Sequence, residues 1–147
     1  MIATQKEAAD VLLVEDSPAE ARLLAEAIAG CEPPIRQVLA MNGEDALDYL
    51  RRKGTYAATK RPRLILLDLN LPRKDGREVL EDIKEDPELK HIPVVVLTTS
   101  AAESDVRRSY RSHANCFITK PAELPEYRAV VRSLVDFWLR IARLPAE

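Results

Sequence analysis

A chain of 147 residues with 22 Lys and Arg against 24 Asp and Glu, net charge −2, carries no bias toward nucleic acid or an anionic membrane surface. No apolar run reaches membrane-spanning length, and Met1 to Asp10 hold Lys6, Glu7 and Asp10 where a signal peptide needs an apolar stretch. Cys31 and Cys116 have no metal-ligand spacing, so the chain reads as one cytoplasmic domain of 147 residues with both thiols reduced.

The elements alternate. The run Val11-Leu12-Leu13-Val14 predicts a buried first strand over 10–15. Ser17-Pro18-Ala19-Glu20 then joins a capping box to a proline at the first helical position. Leu23, Leu24, Ala27 and Ile28 follow at helical spacing, and Gly30 fits the C-terminal cap. A second strand covers 35–40. Asn42 caps a helix carrying Ala46, Leu47 and Leu50 that dissolves at Gly54. The third strand, 64–68, leads into Pro72 and the turn Lys74-Asp75-Gly76; Val79, Leu80 and Ile83 mark helix three, closed by Asp86-Pro87.

The β-branched run over 93–97 is the fourth strand. Ser100-Ala101-Ala102-Glu103 reads as a second capping box, opening a helix whose chief apolar anchors, Val106 and Tyr110, predict a loose hold. Strand five covers 116–119, and helix five starts at Glu123. Five βα units with right-handed crossovers predict a doubly wound α/β fold, three layers around a five-stranded parallel sheet with a core over about 10–142.

Charged groups sit just past the strands: Glu15 and Asp16 after the first, Asp68 after the third, Lys120-Pro121 after the fifth. In an open α/β sheet that carboxyl edge is where ligands bind. Three carboxylates against one ammonium leave two uncompensated negative charges, which Mg²⁺ would neutralise with the oxygen ligands it prefers. Asp68 is a competent nucleophile toward phosphorus, Asn70 can turn a carbonyl toward a metal, and Thr98 and Lys120 offer donors to phosphoryl oxygens. The Lys120–Pro121 bond also admits a cis peptide aiming the lysine inward. Each residue alone has an ordinary structural explanation, such as a helix cap for Asp16 or a turn for Asp68. Their joint placement at strand ends of one sheet does not.

The set Glu15-Asp16, Asp68, Thr98 and Lys120-Pro121 resembles the receiver domain of two-component response regulators, over nearly the whole chain. The resemblance implies a flavodoxin-like receiver fold with Asp68 as phosphoacceptor. Mg²⁺ would be held by Glu15, Asp16, Asp68 and the Asn70 carbonyl, and a histidine kinase would be the donor. It makes Thr98 and Phe117 a switch pair, Thr98 moving to the phosphoryl group and Phe117 swinging in behind it. Glu15 stands where the family more often has Asp. The long connection 51–63 and the end Asp136-Phe137-Trp138-Leu139 to Leu144-Pro145 are similar to single-domain response regulators paired with bacterial and cyanobacterial phytochrome kinases. That narrower resemblance implies a light-sensing donor, and either partner docking or onward relay to a phosphotransfer protein.

In helix five, Tyr127, Val130, Val131, Leu134, Val135, Trp138 and Ala142 form a core stripe, while Phe137, Ile141 and Leu144 add an apolar strip a monomer would leave partly exposed. With the resemblance, this predicts a homodimer through the helix 4–strand 5–helix 5 face. The basic stretch Arg51, Arg52, Lys53, Lys60, Arg61 and Arg63 has no aromatic partners for nucleic acid and reads as a solvated loop, kinase docking being the second choice. His91 and His113 lack metal partners. Two rivals remain: a Mg²⁺-dependent phosphohydrolase, against which Asn70 stands where such enzymes place an acidic proton donor, and a non-phosphorylated adaptor, which would not need the full set.

Overall fold

The computed structural model describes residues 10–146; residues 1–9, on which the absence of a signal peptide was argued, lie outside it. Five strands, β1 (Val11–Val14), β2 (Gln37–Ala40), β3 (Leu64–Leu67), β4 (Val94–Thr98) and β5 (Cys116–Thr119), form one sheet in the order β2-β1-β3-β4-β5. Every pairing is parallel, with Val14 opposite both Ala40 and Leu67, and Thr98 opposite Thr119. The strands therefore end together, and the order reverses between β1 and β3, where a crevice opens at the carboxyl edge.

Alternation along the strands sorts the core into two layers. Leu12, Val14, Ile65, Leu67, Val94 and Val96 face α2 (Gly43–Leu50) and α3 (Gly76–Glu85), meeting Leu47, Leu50, Val79, Leu80 and Ile83. Val11, Leu13, Leu64, Leu66, Val95 and Leu97 face α1 (Pro18–Ala29) and α5 (Leu124–Asp136), meeting Leu24, Ile28, Val131 and Val135. All four β1 side chains are at most 1 % exposed; each such aliphatic contributes about 1.5–3 kcal/mol by burial. Side-chain oxygens of Ser17, Asn42 and Asp75 cap α1, α2 and α3, accepting from Glu20, Asp45 and Arg77 amides.

Helix α4 (Glu103–Arg111) corrects two expectations. Its N-cap is Ala102, with no side-chain cap bond. The Ser100 hydroxyl instead donates to Asp105 (2.7 Å) and accepts from the Ala102 amide (3.3 Å). Tyr110 is no core anchor: it is 49 % exposed, and its hydroxyl accepts from the Phe117 amide. The buried residue of α4 is Ser109 and Val106 is half-buried, so the helix is held chiefly by charge. Arg77 of α3 grips Asp105 with two bonds of 2.8 and 2.9 Å, and Arg108 reaches Glu81 at 3.3 Å. The Arg77 hydrogen bonds, then that of Ser100, pull the Asp105 carboxyl from 3.8 down to about 2.

A carboxyl depressed in the fold adds stability above its unfolded value and loses it as pH falls through the folded one. The clamp is thus intact at neutral pH and released between about 3.8 and about 2. Asp105→Asn is expected to raise amide exchange in α4 about tenfold, ~1.4 kcal/mol of local opening, while α1 is unchanged. Equal exchange in α4 of both proteins would remove the clamp from the account.

Two further differences concern backbone. The Lys120–Pro121 peptide is not cis; among the described residues the cis bond is Glu32–Pro33. Helix α5 passes into a π-helical turn, Phe137–Ile141, closed by the Ala142 amide on the Phe137 carbonyl at 2.7 Å. The wider turn buries Leu139 and leaves Phe137 and Ile141 48 % and 68 % exposed. Ala142 ends this turn half-buried instead of continuing the core stripe, whereas Leu144 packs against the α1–α5 layer. Both cysteines are free.

Candidate functional site

The strand ends place the charged residues on fixed backbone. The Glu15 amide still pairs with Ala40 O (3.0 Å), and the Asp68 amide with Val14 O (3.0 Å), so both residues leave the sheet as its ladder ends. The Lys120 amide donates to Thr98 O at 2.7 Å, tying the end of β5 to that of β4. Behind Asp68, the first residue of α3 is Gly76, where a Cβ would lie 2.1 Å from the Asp68 carbonyl oxygen. Only glycine lets the helix start close enough to support that turn.

Lys120 gathers the acids. Its Nζ lies 2.6 Å from Glu15 Oε1, 3.1 Å from Glu20 Oε1 and 3.4 Å from Asp68 Oδ2. Lys120 and Glu15 side chains are 5 % and 3 % exposed, whereas Asp16 is exposed to solvent. Single oxygens of Glu15, Asp16 and Asp68 all lie within 4.8 Å of one another, the one acidic group of this kind among the described residues. Asp68 Oδ1 accepts from the Leu69 amide at 2.7 Å, leaving Oδ2 toward the pocket.

Burial pushes the Glu15 carboxyl from 4.5 up to about 7, despite the opposing hydrogen bond and charge of Lys120; the charge of Asp68 adds to the rise. Burial alone would lower the Lys120 ammonium, but the Glu15 hydrogen bond and the charges of Glu15 and Asp68 hold it above its ordinary value. One ammonium among four acids leaves the cluster short of positive charge. A hard dication with oxygen ligands fits that donor set.

The remaining predicted residues are arranged around this cluster. Thr98 is fully buried, its hydroxyl accepting from the Ser100 amide at 3.4 Å. Phe117 is half-buried against the α2–α3 layer and opposite Val96, one pleat below Thr98 on the same sheet face. Asn70 is exposed, two residues past Asp68.

Sequence reasoning missed Glu20 as a member of the site. Only half of the expected capping box forms: the Ser17 hydroxyl takes the Glu20 amide, but the Glu20 carboxylate goes to Lys120 and the Ser17 amide to Glu15 Oε2. The available signal was position, because Glu20 lies in the first turn of the helix that starts two residues past Asp16, at the same carboxyl edge. Beside Lys120 runs a groove of about 490 Å³ walled by Leu23, Pro121, Leu124 and Tyr127. The Tyr127 hydroxyl is buried with no hydrogen-bond partner among the described residues, and burial pushes it up to about 12.

Residues 11–132 match the response regulator receiver domain. The chain belongs to that family. This receiver is 48 % identical to the response regulator Rcp1 of Synechocystis sp. over 136 residues, 92 % of either chain. Among solved structures it resembles the phosphorylated cyanobacterial phytochrome response regulator RcpA, at 51 % identity and TM-score 0.90, covering 94 % of this chain and 99 % of that one. The Mn²⁺-bound form of Rcp1 matches at 47 % identity and TM-score 0.89, with the same coverage. As a receiver, the protein is a two-component signalling protein with an acidic pocket suited to a divalent metal.

Proposed function

We propose that this receiver takes a phosphoryl group onto Asp68 from the phosphohistidine of a phytochrome-type histidine kinase. The observation that carries the reading is the triple engagement of Lys120 by Glu15, Glu20 and Asp68 at the carboxyl edge of the sheet, with Asp68 Oδ2 on the pocket side. Asp68 Oδ2 attacks phosphorus, the P–N bond to the donor imidazole breaks, and the imidazole leaves with the electron pair and is reprotonated from water. Lys120 then exchanges a carboxylate for a phosphoryl oxygen, and the Thr98 hydroxyl turns to a second one. Phe117, behind Thr98 on the same face, follows into the space vacated. Mg²⁺ would be held by Glu15, Asp16, Asp68 and the Asn70 carbonyl. Once bound, it would offset the negative charge that the phosphoryl group adds.

The likeness to the cyanobacterial phytochrome response regulator RcpA supports a phytochrome-type donor. Phosphorylation would bias the thinly anchored α4 and its neighbours between two states, and the receiver would then dock to another protein or relay the group to a phosphotransfer protein. Its chemistry is self-catalysed gain and loss of that group, without turnover of another substrate and without nucleic acid. A receiver supplied by a histidine kinase would work on the cytoplasmic side; separately, no helix among the described residues is long and apolar enough to cross a membrane. With acetyl phosphate and Mg²⁺, intact mass should show one labile adduct that needs the metal. No adduct from acetyl phosphate or from a phosphorylated phytochrome-type kinase would overturn the reading.

The α4–β5–α5 face supports homodimerisation. Tyr110 of α4, Leu124 of α5, and Phe137 and Ile141 of the turn after it are large side chains left exposed, and Phe137 walls an apolar groove of about 560 Å³ between β5 and α5. Wild-type protein is expected to sediment as a dimer and Ile141→Glu as a monomer. A monomeric wild type, phosphorylated or not, would exclude that face.

A further inference from the structure

The connection between α2 and β3, read from sequence as a solvated basic loop, is not simply solvated. It walls a cavity of about 300 Å³ at the amino edge of the sheet, opposite Asp68. Arg36, Lys60, Arg61 and Arg63 line it together with His91, and Asp10 is the acidic residue in the lining. These groups come from separate segments: the entry to β2, the long connection and the turn before β4.

The pairing of these charges is uneven. Asp10 is engaged by Arg36, through the backbone amide at 3.0 Å and the guanidinium at 4.0 Å. Arg61 is engaged by Glu88 at 3.2 Å and by the Leu50 carbonyl. Arg63 meets no carboxylate among the described residues; one of its nitrogens donates to Leu139 O at 3.2 Å, leaving the rest of the fork. Lys60 and His91 make no hydrogen bond or ion pair among the described residues.

Like charges gathered around one concavity repel one another, and apolar walls, here Pro93 and Leu144, strengthen their joint field inside it. An anion would relieve that repulsion. Arginine forks match phosphate and carboxylate oxygens pairwise, and lysine adds a point charge. The size admits a small molecule, and no Phe, Tyr or Trp lines the cavity to stack a base. We propose that this cavity binds a small polyanion, bearing two or more phosphate or carboxylate groups, through Lys60, Arg63 and His91.

The test uses the full chain freed of metal on a chelating resin and kept in metal-free buffer without a soluble chelator, where the acidic carboxyl edge repels anions. Pyrophosphate and citrate are titrated separately, followed by calorimetry and amide NMR. Shifts are expected at Lys60, Arg63 and His91 and not around Asp68 or Lys120. Whichever probe binds tighter tells phosphate from carboxylate as the preferred chemistry. Lys60→Ala, an exposed position, should weaken binding at least tenfold, and Lys60→Glu should abolish it, with the remaining spectrum unchanged as the sign of an intact fold. Raising NaCl should weaken binding in wild type. Three results would each overturn the proposal: no shifts at millimolar probe, shifts confined to the Asp68 edge, or equal affinity in Lys60→Glu. None depends on whether Asp68 accepts a phosphoryl group.

Discussion

Asp68→Asn is expected to abolish the phosphoryl adduct completely while leaving the protein at least as stable as wild type without metal. The first half follows from chemistry: an amide oxygen is too weak a nucleophile to form the acyl phosphate. The second follows from the charge balance of the pocket. Lys120 faces Glu15, Glu20 and Asp68, and the charge of Asp68 helps to raise the buried Glu15 carboxyl. Removing that charge eases the repulsion, while Asn keeps an oxygen for the Leu69 amide now bonded to Asp68 Oδ1. Loss of labelling together with a urea midpoint equal to or above that of wild type would therefore isolate the nucleophile. Labelling that persists at one group per chain would mean another residue accepts the phosphate. A variant that unfolds would show that the carboxylate, not its absence, is what the pocket needs.

Most of the frame was legible because it depends on short-range pattern. Runs such as Leu64 to Leu67 can be buried on both faces only in a covered parallel sheet, and the helical spacing of Val79, Leu80 and Ile83 supplies the cover. A parallel sheet brings its strand ends to one edge, which is why Glu15, Asp68, Thr98 and Lys120 could be grouped before any contact was known. What escaped was the choice among partners that local sequence leaves open. Glu20 fits a capping box as well as it fits Lys120, and the buried ammonium is the more demanding partner. Ser100 likewise meets the capping pattern, yet Asp105 offers it a charged acceptor at 2.7 Å. The π-helical turn after α5 leaves no mark in composition. The basic cavity joins residues as distant as Arg36 and Leu144, so one stretch of sequence could show only part of its charge.

The largest effect on stability should come from Lys120→Met. The side chain is 5 % exposed and is the only cation that the acidic cluster engages among the described residues. Methionine replaces much of the stem volume but none of the charge, leaving Glu15 and Asp68 buried and facing each other. Breaking a buried ion pair from one side costs about 3–5 kcal/mol, a large part of the roughly 5–15 kcal/mol that holds a domain of this size. Urea unfolding in EDTA at neutral pH should show a loss of about 3 kcal/mol, since Glu15 can limit the damage by taking up a proton. Glu20→Gln removes one partner of the same ammonium from a side chain that is 35 % exposed, and should change stability by less than about 1 kcal/mol. The two variants separate a counter-ion from a mere contact. Mg²⁺ sharpens the distinction. In wild type the ammonium already satisfies part of the carboxylate charge, so a dication gains less on entering than it does where the ammonium is missing. Mg²⁺ should therefore restore more stability to Lys120→Met than it adds to wild type, by the ordinary linkage between binding and folding. A loss under about 1 kcal/mol, or equal stabilisation of both proteins by Mg²⁺, would mean that Lys120 is not what balances the acids.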